Sequence, residues 1–177
     1  VSLVPNALQR IDPRLFRSIL LGGSRPPNPR PANTIATYGL TETGSGVVYN
    51  GVPLDGVEIA FTTDDEILLR SPMNMRSYRN GETSIDSAGW LHTGDLGRID
   101  IDNRLYLVDR KGDMIISGGY NIYPREIEDV IAEIPEVLEV AVMGIHDVEW
   151  GQRVTAMVTL VPNTTVDHAE LTARILE

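Results

Sequence analysis

The stretch Tyr106–Glu128 reads Y-L-V-D-R-K-G-D-M-I-I-S-G-G-Y-N-I-Y-P-R-E-I-E, and its changes of pattern decide the fold. Leu105, Leu107 and the β-branched Val108, bounded by Arg104 and Asp109, predict a strand. Arg110-Lys111-Gly112-Asp113 breaks the apolar pattern with charge and a glycine. Met114-Ile115-Ile116 resumes it, and Gly118-Gly119 interrupts again. Tyr123-Pro124 opens a helix, since proline suits the first helical position, where no backbone donor is required. Ile127, Val130, Ile131 and Ile134 follow at helical spacing and predict one buried face. Strand, charged break, glycine pair and helix in one short span read as a joint between two bodies. We expect domains at 1–110 and 111–177.

Composition bounds what those bodies do. The chain has 177 residues, 42% hydrophobic, enough for one ordinary domain or two small ones. A net charge of −10 argues against nucleic acid or an anionic membrane as partner. Without cysteine there is no disulfide, thiolate nucleophile or cysteine metal site. No apolar run approaches the roughly 20 residues of a membrane span, and a cytoplasmic setting is expected. Lys111 is the only lysine, the other 14 of the 15 basic residues being arginine. The chain opens directly in apolar Val-Ser-Leu-Val and stops at Glu177 inside a helix begun at Asp167, so we expect a piece of something longer.

Upstream of the joint, three stretches carry chemistry. Ile19-Leu20-Leu21 predicts a buried strand running into Gly22-Gly23, where backbone can approach a ligand; the pair also reads as a plain turn. Ser24–Pro31, with four prolines, predicts an extended loop. Asn33–Thr43 predicts a β-branched strand ending at Tyr38-Gly39 and followed by Leu40-Thr41-Glu42. There an aromatic ring can stack on a base, a hydroxyl can meet phosphate and a carboxylate can hold Mg²⁺. In Gly89–Gly97, Asp95 sits between Gly94 and Leu96-Gly97, which predicts a tight turn projecting one carboxylate from a hairpin end. Two parallel hydrogen bonds to a ribose diol suit it, as does capping its own turn. His92 shows no partner for a triad or a metal site and is read as structural. Between these lies a hairpin, Val57–Phe61 with Glu66–Arg70, and the segment Ser77–Asn80 receives no chemistry. Downstream, Glu136–Met143 ending at Gly144, a loop at 147–151, and Val154–Val161 predict two strands of a small α+β domain.

D-R-K-G-D-M-I-I-S-G-G-x-N-I-Y-P-x-E-I-E, together with Y-G-x-T-E and G-W-x-x-T-G-D, resembles the motifs of the adenylate-forming enzymes. That superfamily holds acyl-CoA synthetases, peptide-synthetase adenylation domains and beetle luciferases. The likeness runs from about Leu20 to Val161 and is strongest to bacterial acyl- or aryl-CoA ligases. It implies a mixed α/β and α+β fold: the C-terminal part of a large domain, with barrel-like hairpins, hinged to a truncated small domain. By the same resemblance Tyr38 stacks on adenine beside Gly22, Gly23 and Gly39, and Thr41 meets the α-phosphate. Glu42 holds Mg²⁺, Asp95 and Arg110 take the ribose, and Tyr106 belongs to the same nucleotide site. Lys111 and Gly112 form the hinge, with Gly112 where relatives usually carry Lys or Asp. Gly118, Gly119 and Trp150 line the path of coenzyme A, and Tyr120 stands where relatives often have Glu. The implied reaction joins a small carboxylic acid to CoA through acyl-AMP, with ATP and Mg²⁺, and fatty-acid metabolism is one expected setting. A carrier-loading adenylation domain and a non-catalytic nucleotide-binding remnant are the alternatives. The family's phosphate loop and its late catalytic lysine have no match here, so the piece is expected to be inactive alone.

Overall fold

In the computed structural model, which describes residues 1–176 apart from Arg25, Asn28 and Thr165, the chain divides into two units, Val1–Leu107 and Val108–Glu177. The division falls inside one strand, Leu105–Arg110, whose last residue is the expected boundary. Of the proline-rich stretch, Arg25 and Asn28 lie outside the described residues, as does Glu177 of the last helix.

The first unit begins with short apolar strands. Ser2–Leu3 (β1), Ile19–Leu21 (β2) and Thr34–Gly39 (β3) run parallel, and Gly46–Tyr49 (β4) and Val52–Pro53 (β5) extend the sheet antiparallel. A helix, Pro5–Leu8 (α1), and a 3₁₀ turn, Pro13–Leu15, connect β1 to β2. Ile19 and Leu21 are fully buried on the side that packs Leu8, Leu3, Ile11 and Phe16. A second sheet orders Glu58–Phe61 (β6), Glu66–Arg70 (β7), Leu91–Ile99 (β8) and Leu105–Arg110 (β9) as a meander. Its turn after β6 needs a left-handed residue, and Asp65 supplies it at φ 61°. Among the described residues this sheet stays open rather than closing as a barrel. One cluster joins the two sheets: Val47 and Val48 of β4 with Ile67 and Leu69 of β7 and Leu91 of β8.

The second unit orders Tyr120–Ile122 (β11), Ile115–Ser117 (β10), Gly151–Leu160 (β13) and Val137–Asp147 (β12) into an antiparallel sheet. Helix Pro124–Ala132 (α2) has Pro124 in its first turn, as predicted, and helix His168–Leu176 (α3) follows the sheet. Ile131 of α2 packs with Ile115 and Val142, and Ile127 joins from the same face. Val130 does not share it: it is 60% exposed. The expected strand end at Gly144 also needs correction, because β12 runs on to Asp147 and pairs Gly144 with Val154. Gly144 marks a close approach instead of a break. A Cβ there would lie 2.9 Å from Gln152 Nε2 and 3.1 Å from Ile115 Cγ2. The partner strand accordingly starts at Gly151, not Val154.

Candidate functional site

The C-terminal ends of the three parallel strands open on a cleft of about 730 Å³, whose lining includes Gly22, Gly23, Gly39, Thr41 and Ser45. Open α/β sheets take ligands at that end of their strands. Thr41 and Glu42 belong to a single 3₁₀ turn, Thr41–Thr43, which follows β3. Thr43, 1% exposed, holds that turn: its hydroxyl lies 2.9 Å from Leu40 N–H and 2.7 Å from Ser45 O. Thr43 thus pins the turn that carries Glu42 at both ends.

Tyr38 and Asp95 come together from different sheets. The Tyr38 hydroxyl donates to Asp95 Oδ2 at 2.9 Å, across 57 residues of sequence. Asp95 does not cap a hairpin end, as the sequence suggested. It lies mid-strand in β8, where Glu66 pairs with Leu96 but Leu68 pairs with His92, so the strand bulges between them. Gly94 makes the bulge possible at φ 71°, a conformation costing other residues roughly 1–2 kcal/mol. Three bonds fix the bulge. Gly94 N–H donates to Glu66 Oε1 at 3.1 Å, and the Thr93 hydroxyl donates to Ile67 O at 2.7 Å while accepting from Asp95 N–H at 3.1 Å.

Glu42 has a partner that sequence reading missed. The Tyr78 hydroxyl, in the segment given no chemistry, donates to Glu42 Oε1 at 2.7 Å. Met75 N–H, three residues earlier, donates to the Glu42 carbonyl at 2.6 Å, so the stretch from Met75 to Tyr78 meets both the side chain and the backbone of Glu42. Their 36-residue separation leaves no local pattern to read. Among the described residues no three His, Cys, Asp or Glu side chains group to hold a metal. One carboxylate nevertheless suits Mg²⁺, which keeps several waters and takes its remaining ligands from substrate phosphates. Glu42 fits that role.

His92, read as structural, stands near two carboxylates. Its Nδ1 lies 3.6 Å from Glu66 Oε2 and its Nε2 lies 3.7 Å from Asp86 Oδ2. The Trp90 N–H, with the Ala88 N–H and nearby His92, holds the Asp86 carboxyl below its ordinary range. These contacts tie a loop to β8 and leave His92 structural. Tyr106, on β9, has the Arg98 guanidinium 5.2 Å from its ring centre.

The remaining predicted residues belong to the second unit. Arg110 ends β9, and the exposed turn Lys111-Gly112-Asp113 is closed by Asp113 N–H to Arg110 O at 3.1 Å. Gly118-Gly119 turns β10 into β11. Trp150 packs on Gly118, where a Cβ would come within 2.7 Å of the indole, and the Gly118 N–H donates to Trp150 O at 2.9 Å.

Comparison with known proteins gives this arrangement its class. Residues 126–177 match the family described as the AMP-binding enzyme C-terminal domain. The chain is 42% identical over 180 residues to a 2-succinylbenzoate–CoA ligase of Lactococcus lactis, covering 86% of this chain and 39% of that protein. It is 47% identical over 115 residues to a medium/long-chain-fatty-acid–CoA ligase of Mycobacterium tuberculosis, covering 63% of this chain and 20% of that protein. In structure it resembles the o-succinylbenzoate CoA synthetase of Bacillus subtilis in complex with an acyl-adenylate intermediate. That likeness has a TM-score of 0.84 at 34% identity and covers 98% of this chain and 43% of that one. An amide bond synthetase of Marinactinospora thermotolerans gives a TM-score of 0.82 at 30% identity over 99% of this chain and 45% of that one. Residues 126–177 thus carry the AMP-binding enzyme C-terminal domain, and the chain as a whole is similar to the adenylate-forming class of enzymes. Within that class it is similar to AMP-forming CoA ligases, and it spans 39% of the length of the Lactococcus enzyme.

Proposed function

We propose that the whole protein is an AMP-forming acid–thiol ligase acting on ATP, a small carboxylic acid and coenzyme A. The carboxylate oxygen attacks the α-phosphorus of ATP, the bond to pyrophosphate breaks, and acyl-AMP forms. The thiol sulfur of CoA then attacks the acyl carbon, and AMP leaves as the thioester forms.

The observation that carries this reading is the meeting of Tyr38 and Asp95 at 2.9 Å, at the end of a strand whose residues Thr37 and Gly39 line the cleft. A ring for adenine and a carboxylate for a ribose diol are then neighbours, with Thr41 on the cleft wall toward the α-phosphate. Gly22 and Gly23 admit the ligand close to backbone. Glu42 is the residue that would hold Mg²⁺, which supplies positive charge where phosphoryl oxygens become more negative. In the second unit Arg110 is assigned to the ribose, Lys111-Gly112 to a hinge, and Gly118, Gly119 and Trp150 to pantetheine. The −10 charge and the absence, among the described residues, of a helix long and apolar enough to cross a membrane go with a cytoplasmic enzyme.

Likeness to 2-succinylbenzoate–CoA ligases favours an aryl acid over a fatty acid as substrate. Likeness to an amide bond synthetase supports a second reading, in which an amine takes the acyl group instead. Mass spectrometry separates them. Whole protein with ATP, Mg²⁺, 2-succinylbenzoate and CoA should yield AMP and the CoA thioester. Amide formation from an added amine with no thioester would favour the second reading, and ADP as product would overturn both.

A further inference from the structure

We propose that Tyr78 is a positioning residue for the metal-binding carboxylate of Glu42. The inference rests on the reading of Glu42 as the Mg²⁺ ligand and concerns how that ligand is aimed. The turn Thr41–Thr43 is pinned by Thr43, but a glutamate side chain on a pinned backbone still rotates. Glu42 is half-buried, and the Tyr78 hydroxyl takes its Oε1 at 2.7 Å. Oε2 has no hydrogen-bond donor among the described residues. The donor therefore separates the two oxygens: one is fixed by protein and the other is left for a cation.

The segment carrying Tyr78 is itself anchored. Met75 N–H holds the Glu42 carbonyl at 2.6 Å, and Met75 packs on the core of the first unit. Tyr78 N–H donates to Glu82 O at 2.7 Å, and Gly81 N–H donates back to Tyr78 O at 3.0 Å. The Ser84 hydroxyl stands 3.4 Å from the phenol oxygen, a longer and weaker contact. A phenol held by its own loop and aimed at one carboxylate oxygen is the arrangement by which outer partners orient metal ligands.

Two effects oppose each other. Donation to Oε1 draws charge from the carboxylate and weakens its pull on a cation; fixing the rotamer strengthens binding by removing freedom that would otherwise be lost. Orientation outweighs charge withdrawal where such partners have been removed, with losses of roughly 10–100-fold in metal affinity.

The test uses the whole protein with Tyr78→Phe, which keeps the ring and removes the donor. Mn²⁺ is the probe, its binding in the presence of ATP followed by electron paramagnetic resonance. Tyr78→Phe should weaken Mn²⁺ binding about tenfold while leaving metal-free ATP affinity and the melting temperature unchanged. Pyrophosphate exchange should need about tenfold more Mg²⁺ for half-maximal rate and recover at saturating Mg²⁺. Glu42→Gln separates the two levels of the argument. If it leaves Mn²⁺ binding intact, the metal assignment itself fails. If Glu42→Gln weakens the metal and Tyr78→Phe does not, only the positioning role fails. Unchanged or tighter Mn²⁺ binding in Tyr78→Phe overturns the proposal, and so does a variant that does not fold, which would make Tyr78 a structural residue.

Discussion

Asp95, the carboxylate proposed for the ribose, is only 8% exposed and already accepts a bond from Tyr38. That double engagement decides which variant tests it. Asp95→Ala would remove the acceptor that the Tyr38 hydroxyl uses, at a cost of about 1–3 kcal/mol in stability, and confound binding with folding. Asp95→Asn keeps an acceptor for Tyr38 and removes the charge. A hydrogen bond to a charged group contributes about 1.5–3 kcal/mol against about 1 for a neutral one, so a pair to ribose should lose roughly tenfold or more in ATP affinity. Calorimetric titration with ATP checks this, and the melting temperature should fall by only a few degrees, because Tyr38 keeps a neutral acceptor. Equal affinity in the variant would remove Asp95 from the ribose. The sequence made Asp95 legible through its flanking glycines and threonine, but not its setting. Whether Gly94 closes a hairpin or bulges a strand depends on Glu66 and Leu68, nearly thirty residues upstream. Tyr78 was illegible for the same reason: its meaning lies in a contact to a distant residue.

At the scale of elements, the β12–β13 hairpin is closed by one carboxylate. The Trp150 N–H, then the Glu149 N–H and the nearby Arg153 guanidinium, hold Asp147 below its ordinary value of 3.8. A folded pKa below the unfolded one contributes stability that is fully present above the unfolded value and is lost as pH falls through the folded value. Asp147→Asn should therefore be less stable than the parent at pH 7, and the gap should close as the pH drops below about 3.8. Urea midpoints at pH 7 and pH 3 measure it; a gap that stays constant would deny the linkage. The elements themselves were largely readable. The apolar run Ile19–Leu21, the proline at the start of α2 and the turn at Asp65 all announce their structure locally. Strand ends were not. Gly144 looked like a stop because glycine commonly is one, yet it is needed where β10 and Gln152 press against β12. Val130 fits the helical period but not the buried face, since a spacing pattern cannot say how wide the covered stripe is.

For the whole molecule, the reading joins a nucleotide site in the first unit to a hinge and a thiol path in the second. The sequence places a joint at the charged break from Arg110 to Asp113, while the two units divide within β9, between Leu107 and Val108. The acid remains the least legible part, because no stretch of this chain spells out an acyl pocket. In the proposed reaction adenylation precedes thioester formation and would need only ATP, Mg²⁺ and the acid. The central claim is that Tyr38, Thr41, Glu42 and Asp95 serve an acid-dependent attack on the α-phosphate. Exchange of labelled pyrophosphate into ATP by the whole protein tests it most directly. The account predicts exchange that requires an aryl acid, proceeds without CoA and falls at least tenfold in Asp95→Asn. Exchange that ignores the acid, or its absence with every acid tried while γ-phosphate is released, would contradict it.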